Sequence, residues 1–237
     1  MNVLGDIVAR DRRTDAVALR AGSRAGSYSY GKFCTTAWKA GNLLRHYGVR
    51  SGATVAIDAG DTPAPPPSVA FFGSALLGAT ATFAPSPDER VQSRALVVPG
   101  DRVEAYRTAP GTQTLAYGDE HGDPDVAAFE REVWSENPTA PPESVSPDAD
   151  ALVADGEQFS HERLLAATRR VVSDVGLGET DAVAPREGLS DPGAVVAGVL
   201  APLSVGATVL LDLERTGDVG VGAGVPESRQ VTPASVF

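Results

Sequence analysis

The first apolar positions of the chain recur at helical spacing directly after Asn2: Val3, Leu4, Ile7 and Val8. A spacing of three to four residues places them on one face, so the sequence predicts an opening helix that is capped by Asn2. Residues 16–20 and 26–30 then carry apolar and aromatic positions on either side of a turn containing glycine and serine. This arrangement predicts a β-hairpin.

A longer helical pattern begins after Ser29 and continues to Gly48, with the following apolar positions on one face: Phe33, Ala37, Ala40, Leu43, Leu44 and Tyr47. Ser29 is predicted to cap the helix, because its hydroxyl can accept a free N–H of the first turn. Gly48 is predicted to end it in a left-handed conformation. Thr54–Ile57 follows as a short buried strand.

One sequence of elements occurs twice along the chain. A helix predicted at Ser68–Leu77 leads through Gly78-Ala79-Thr80 to an apolar strand that ends at Pro85. A second apolar helix, predicted at 194–204, leads through Gly206-Ala207-Thr208 to a strand at 209–211. The repetition of helix, Gly-Ala-Thr and strand predicts two related α/β layers.

Residues 110–150 are acidic, rich in proline and weakly periodic, which predicts a surface connection. We therefore predict an N-terminal α/β subdomain at 1–145 that ends in this connection, and a second, shortened α/β subdomain at 146–237. The second subdomain contains a glycine-rich run at 217–224. It is predicted to be a flexible tail, because no helix follows it that could bind a pyrophosphate.

The charge of the chain restricts its partners. Its 237 residues carry a formal net charge of −11, which disfavours binding to nucleic acid or to an acidic membrane. No stretch approaches the roughly 18 apolar residues of a spanning helix, and the N-terminus does not resemble a signal peptide, so a cytoplasmic location is predicted. The single cysteine, Cys34, excludes an intrachain disulfide, and the histidines lack metal-ligand spacing.

Lysine occurs only at Lys32 and Lys39, whereas the other 18 cations are arginines. An acidic, lysine-poor surface is typical of a salt-in halophile, whose proteins stay hydrated at high ionic strength. A GC-rich genome explains the same bias towards arginine, so both interpretations stay open.

Several segments occur in an order that identifies a resemblance. Residues 29–33 read Ser-Tyr-Gly-Lys-Phe, and residues 48–57 read Gly-Val-Arg-Ser-Gly-Ala-Thr-Val-Ala-Ile. Residues 70–79 read Ala-Phe-Phe-Gly-Ser-Ala-Leu-Leu-Gly-Ala. Phe-Ser-His-Glu-Arg-Leu-Leu follows at 159–165, and Leu-Ala-Pro-Leu-Ser-Val-Gly-Ala-Thr at 200–208. In this order the segments resemble the N-terminal portion of the acyl-CoA synthetase and AMP-dependent ligase superfamily.

The resemblance covers most of residues 1–212. It implies an α/β fold of two related layers of sheet flanked by helices, as in the N-terminal subdomains of acyl-CoA synthetases, with the C-terminal lid domain absent. The matched segments are scaffold in that family and perform no chemistry there.

The family's phosphate-binding loop has no counterpart in the chain. In the family, a Ser/Thr/Gly-rich loop ending in Pro-Lys-Gly lies between a strand and the Ser-His helix, and supplies the donors and the cation that ATP phosphates need. Here the strand at 151–154 is followed by Asp155-Gly156-Glu157-Gln158, which leads directly into Phe159-Ser160-His161. Asp155 and Glu157 would repel a phosphate, and no lysine follows Lys39.

Asp218 is the one candidate cofactor-binding residue. Glu214-Arg215-Thr216-Gly217-Asp218 resembles the family's Tyr-x-Thr-Gly-Asp segment, whose aspartate binds the ribose hydroxyls, although a solvated turn is the alternative interpretation. Tyr117-Gly118-Asp119-Glu120 is an imperfect copy, in another place, of the aromatic-Gly-x-Thr-Glu motif that handles adenine and Mg²⁺. His161 is interpreted as structural and Cys34 as a buried thiol. No catalytic residue and no metal ligand is predicted.

The sequence therefore predicts a degenerate acyl-CoA synthetase homologue, a pseudoenzyme with a binding or regulatory role and no expected cofactor. The alternative is a subunit of a split, acetyl-CoA synthetase-like acid–CoA ligase, which forms an acyl-adenylate with a partner chain and uses ATP or AMP and CoA. A third hypothesis is an interaction module, in which an exposed sheet edge binds a protein partner or a second copy.

Overall fold

The computed structural model describes residues 1–22, 26–119 and 121–237. They form two compact units that alternate along the chain. Unit 1 comprises Met1–Cys34, Pro63–Pro65 and Ser160–Phe237, and unit 2 comprises Thr35–Thr62 and Pro66–Phe159. The division into residues 1–145 and 146–237 concerns domains along the sequence and stays a prediction.

The helical elements are α1 (Tyr30–His46), α2 (Pro65–Ala75), α3 (Phe129–Ser135), α4 (His161–Val175), α5 (Pro192–Val195) and α6 (Ala201–Val205). A π-helical segment, Val196–Leu200, joins α5 to α6. The strands are β1 (Val17–Arg20), β2 (Ser27–Ser29), β3 (Thr54–Ile57), β4 (Thr80–Phe83), β5 (Arg90–Val91), β6 (Ala95–Pro99), β7 (Arg107–Thr108), β8 (Gln113–Tyr117), β9 (Ala127–Ala128), β10 (Asp150–Ala154), β11 (Glu157–Ser160), β12 (Ala182–Pro185), β13 (Thr208–Leu210), β14 (Val219–Val221) and β15 (Arg229–Val231).

A seven-stranded sheet forms the centre of unit 2, in the order β11-β10-β4-β3-β6-β8-β9. The neighbours from β10 to β9 pair in parallel. Residues 95–98 of β6 are completely buried, as are residues 55–57 of β3. Continuous apolar strands of this kind are typical of parallel sheets that are covered on both faces.

A six-stranded sheet forms the centre of unit 1, in the order β15-β14-β12-β13-β1-β2. Its neighbours are parallel except for β1 and β2, which are antiparallel and confirm the strands of the predicted hairpin. The hairpin turn, which includes residues 23–25, lies outside the described residues. Two parallel-rich sheets flanked by helices confirm the predicted α/β fold class.

The predicted repeat of helix, Gly-Ala-Thr and strand is present once in each sheet. It connects β3 to β4 in unit 2, through α2 and Gly78, and β12 to β13 in unit 1, through α5, α6 and Gly206. Gly78 and Gly206 have φ values of 65° and 90°, the left-handed conformation that ends a helix at no steric cost to glycine. In both copies the alanine N–H donates to the carbonyl five residues earlier, at 3.1 and 3.0 Å.

The threonine of each copy fixes its strand to a neighbouring segment. The Thr80 hydroxyl donates to the Asp150 carbonyl at 3.2 Å, and the Thr208 hydroxyl donates to the Val17 carbonyl at 2.9 Å. The two copies therefore share the helix cap and a side-chain hydrogen bond between strands, as expected of two related layers.

Pro202 explains the π-helical segment between α5 and α6. Proline has no N–H to donate, and its ring collides with the carbonyl four residues earlier, which is that of Gly198. The helix widens ahead of it, so that the Ala201 N–H donates to the Val196 carbonyl five residues back. The predicted helical stretch at 194–204 is thus helical, with a wider central turn.

The opening segment differs from its prediction. It is a 3-10 helix at Leu4–Val8, and the Asp6 carboxylate accepts the N–H groups of Asn2 and Val3. The cap is therefore a carboxylate inside the segment and not the Asn2 side chain. The predicted apolar face is buried, since Leu4, Ile7 and Val8 are inaccessible to solvent.

The prediction that residues 110–150 form only a surface connection is wrong. They contain β8, β9 and α3, and β8 is an inner strand of the seven-stranded sheet. The strand was missed because Gln113–Tyr117 has only one large aliphatic residue, so its apolar signal is weak. The remainder runs along α1: Asn42 donates to the carbonyls of Asn137 and Thr139, at 3.0 and 2.8 Å.

Replacing either repeated threonine by valine keeps the side-chain shape but removes its hydroxyl donor. We expect Thr80→Val and Thr208→Val each to lower the free energy of unfolding by about 1–2 kcal/mol, because a strand carbonyl loses its partner. Urea denaturation measures the free energy of unfolding of each variant. The control is Thr54→Val, an exposed threonine at the start of β3, for which a change within about 0.5 kcal/mol is expected. A neutral effect at only one of the two repeated positions would contradict their equivalence.

Candidate functional site

The predicted position of the phosphate loop is a two-residue turn between β10 and β11. Asp155 and Gly156 have φ values of 50° and 78°. Positive φ at both central residues is typical of a type I′ hairpin turn, for which Asp-Gly is a preferred pair. Asp155 and Glu157 are exposed. The turn therefore presents carboxylates, and the flanking backbone forms strand pairs.

Directly after β11, the chain forms the N-terminus of α4 in unit 1. The Ser160 hydroxyl accepts the N–H of Arg163 at 3.2 Å, so the predicted Ser-His helix start is capped by its own side chain. His161 is completely buried, and its Nδ1 accepts the N–H of Leu4 at 3.1 Å. Burial lowers the pKa of His161 to about 4, while Asp6 opposes this shift.

The crossover helices of the repeat offer few N–H donors at their N-termini. In α/β folds these termini lie at the carboxyl edge of the sheet, where phosphates commonly bind. α2 begins with Pro65, Pro66 and Pro67, which have no N–H. α5 begins with Pro192, and the Asp191 carboxylate accepts the N–H of Gly193 at 2.7 Å. Both termini are therefore poor anion sites.

An aspartate, Asp58, lies directly after the carboxyl end of β3 in unit 2. At this strand the order reverses, because β4 lies on one side of β3 and β6 on the other. Asp58 is 4% exposed and accepts hydrogen bonds from the Tyr106 hydroxyl at 2.7 Å and the Gly60 N–H at 2.9 Å. Arg102 Nε lies 3.1 Å from the same carboxylate, and the Tyr117 hydroxyl donates to the Asp58 carbonyl at 2.9 Å. Burial, with the Asp58 hydrogen bond, raises the pKa of Tyr106 to about 12.

An arginine, Arg186, lies directly after the carboxyl end of β12 in unit 1. Arg186 pairs with the buried carboxylate of Glu227 and donates to the carbonyls of Leu213 and Arg215. Glu227 also accepts the Gly217 N–H at 3.2 Å. Burial opposes the charge of Glu227, but the hydrogen bonds from Arg186 and Gly217 outweigh it, so the pKa of Glu227 lies below its usual value. The Arg186 side chain thus reaches from the end of β12 to a carboxylate that lies against Gly220 of β14.

Asp218, the candidate ribose ligand, lies at the opposite edge of its sheet. It precedes β14, and its carboxylate accepts the N–H of Ala182, the first residue of β12, at 2.7 Å. It is exposed, but it stands at the amino ends of parallel strands, whereas ligands of such sheets bind at the carboxyl ends. Binding of ribose by Asp218 stays a prediction.

The prediction of a flexible glycine-rich tail at 217–224 is wrong. Val219–Val221 forms β14, which is completely buried between β12 and β15. Gly220 has no room for a side chain, because a Cβ there would lie 2.6 Å from Val225 Cγ2 and would clash with the Glu227 carboxylate. Gly220 is therefore required by close packing of an inner strand and not by flexibility.

The other residues considered in the sequence are Cys34 and the segment from Tyr117 to Glu120. Cys34 is completely buried, and burial raises the pKa of its thiol to about 11. Tyr117 ends β8, and Glu120 of the same segment lies outside the described residues. Within the described part of the chain, no group of His, Cys, Asp and Glu residues is arranged to hold a metal ion. None of the helices described combines the length and the hydrophobicity needed to cross a bilayer.

Sequence comparison finds neither a matching family model nor a matching curated protein. Solved structures are nevertheless similar in fold. A benzoate CoA ligase from Burkholderia xenovorans superposes with a TM-score of 0.77 and 21% identity over 93% of this chain and 50% of the ligase. The anthranilate CoA ligase AuaEII gives a TM-score of 0.77 at 16% identity, over 93% of this chain and 49% of that one.

The N-terminal domain of FACL13 from Mycobacterium tuberculosis gives a TM-score of 0.72 at 13% identity, over 95% of this chain and 66% of that domain. The chain thus has the fold of the N-terminal part of acyl-CoA ligases, which confirms at the level of fold the resemblance drawn from the sequence. It spans about half the length of the CoA ligases that it matches.

The ion pairs at the strand ends were not predicted. Their one signal in the sequence is a charged residue directly after a buried strand, Asp58 after β3 and Arg186 after β12. Their partners, Arg102 and Glu227, are distant in sequence, and neither belongs to a matched segment.

A methyl group at Gly220 would test whether the glycine-rich run is a packed strand. We expect Gly220→Ala to lower the free energy of unfolding by about 1–3 kcal/mol, because the added Cβ collides with Val225 and Glu227. The matched control is Gly188→Ala, in the loop after β12, where a Cβ meets no atom closer than 4.0 Å. Equal stability of the two variants in urea denaturation would indicate a mobile tail.

Proposed function

We propose that the chain is a degenerate member of the acyl-CoA synthetase superfamily, which does not adenylate an acid on its own and has a binding or regulatory role. The observation that carries the proposal is the turn at Asp155 and Gly156, at the position of the family's phosphate loop. A type I′ hairpin joins β10 to β11 by the shortest route. Its flanking N–H groups pair within the sheet and are not directed at a ligand.

Electrostatics supports the same proposal. Adenylation requires donors and cations around a triphosphate. The loops that leave the carboxyl ends of the strands in unit 2 instead carry exposed carboxylates: Asp61, Asp88, Glu89, Asp101, Glu104, Asp119 and Asp155. Among the arginines near these carboxylates, Arg102 is paired with Asp58 and Asp61, and Arg107 donates to the Asp88 carbonyl at 2.8 Å. Like charges at this edge disfavour a polyanion such as ATP.

The donor-poor helix N-termini add a second, independent reason. A phosphate on α2 would meet three prolines, and a phosphate on α5 would meet the Asp191 carboxylate. An enzyme of this fold that used either terminus would need free N–H groups there. The scarcity of free donors at the starts of α2 and α5 therefore supports a role without nucleotide chemistry.

A binding role requires a surface, and the sheet edges are the candidates that the fold offers. Among the described strands, β11 and β9 end the sheet of unit 2, and β15 and β2 end that of unit 1. Edge strands can pair with a protein partner or with a second copy. In the alternative, a split ligase, a partner chain would supply the phosphate loop and the cation that this chain does not provide at residues 154–160.

The proposal predicts that ATP with Mg²⁺ does not raise the melting temperature of the purified chain, in dilute buffer or in molar KCl, and AMP and acyl-CoA are tested beside it. A ligand at one hundred times its dissociation constant stabilises a protein by about 2.7 kcal/mol, so a retained site would be visible. Pyrophosphate release with a panel of carboxylic acids and CoA measures catalysis in parallel, with a benzoate CoA ligase as positive control.

The outcomes separate the hypotheses. Acid-dependent release of pyrophosphate by the chain alone would refute the proposal. Release that appears only when a co-purified partner chain is added would instead favour the split ligase. A stabilising effect of AMP or acyl-CoA without turnover would support a degenerate homologue that has kept a ligand, and would name the class of that ligand.

A further inference from the structure

One buried ring holds the N-terminal segment of unit 1. His161 is the first residue of α4 and has no exposed surface, and its Nδ1 accepts the Leu4 N–H at 3.1 Å. An imidazole nitrogen accepts a hydrogen bond only while it carries no proton. The ring is therefore neutral, with its proton on Nε2, which has no hydrogen-bond partner among the described residues.

The same segment is attached again at its other end. Arg12 donates through Nη2 to the carbonyls of Leu203 and Ser204 at the end of α6, both at 2.9 Å. Between these attachments, the side chains of Ile7 and Val8 are buried. Residues 1–12, named here the N-terminal strap, are thus held by apolar burial and by hydrogen bonds at either end.

A proton on Nδ1 would remove one of these attachments. Nδ1 would become a donor that faces the Leu4 N–H, and a buried imidazolium would have an unpaired Nε2–H. Asp6 of the strap is the charged side chain, among the described residues, whose field acts on the ring, and it favours the proton. Burial has the larger effect and lowers the pKa of His161 to about 4.

We propose that the N-terminal strap is released by acid: protonation of His161 breaks its hydrogen bond with Leu4, and the strap detaches while the sheet of unit 1 stays folded. The proposal concerns a conformational device and is independent of the proposed function. It rests on the position of Nδ1 against a backbone donor, the complete burial of the ring and the unpartnered Nε2.

The direction of the pH dependence follows from the two pKa values of the ring. When the strap is detached, His161 of α4 has its ordinary pKa near 6.5. When the strap is bound, which is the closed state, burial lowers the pKa of His161 to about 4. The closed state is fully favoured above about pH 6.5, and this advantage is lost as the pH falls towards 4. A difference of one bound proton raises the opening constant about tenfold per pH unit in this window.

Amide hydrogen exchange measures the opening directly. We expect the protection factors of Leu4 and Ile7, corrected for the intrinsic exchange rate, to fall about tenfold per pH unit between about pH 6 and pH 4.5. Val183 of β12 and Val209 of β13 should keep their protection over the same range. A parallel loss at Val183 would show global acid unfolding and would overturn the proposal.

Substitution of His161 tests whether its ring causes the pH dependence of strap opening. His161→Asn places an amide oxygen near the position of Nδ1 but does not titrate, so strap protection should no longer depend on pH between 6 and 4.5. The matched control, His46→Asn, alters an exposed histidine of α1 and should keep the wild-type dependence. A wild-type slope in His161→Asn would refute the proposal. If that variant does not fold, the ring signals of wild-type His161 decide, since they must titrate together with strap opening.

Discussion

A backbone N–H can donate either to a neighbouring strand or to a bound phosphate, and this constraint determines what the fold can do. At residues 154–158 the chain uses its backbone for the β10–β11 hairpin. A loop that cradles phosphate needs the opposite arrangement, in which successive N–H groups have no partner in the protein. The N–H groups beside the Asp-Gly turn are thus used for strand pairing within the sheet.

The same constraint acts at both copies of the repeated β-α-β unit. Free donors and polar strand ends at the carboxyl edge would be unsatisfied in a protein without a ligand there, at a cost in stability. In this chain prolines remove donors from the start of α2, and Asp191 satisfies one at α5. Asp58 and Arg186 are each held by an opposite charge at the strand ends. The charged side chains that follow β3 and β12 therefore have their partners within the protein.

The sequence predicted the elements whose signals are local. The cap at Ser29, the left-handed Gly48 and the two Gly-Ala-Thr turns depend on neighbouring residues, and each is present. β8 and β14 were missed because their strand character depends on burial within a parallel sheet and not on alternation. A run of valine and glycine such as Val219–Val221 reads as flexible until its neighbours are known.

The candidate site was predictable in part for the same reason. The short Asp-Gly turn is a local property of residues 154–160 and was visible in the sequence, whereas the ion pairs join residues more than 40 positions apart, as Arg186 and Glu227 do. Asp218 was predicted from a motif, but the motif does not show at which edge of the sheet the residue lies. In the structure Asp218 stands directly before β14, at the amino end of that strand. A motif specifies side chains, and only the direction of its strand decides whether they face the edge where ligands of a parallel sheet bind. Fold similarity to CoA ligases therefore extends to the scaffold, whereas the chemistry depends on which residues occupy the carboxyl edge of each sheet.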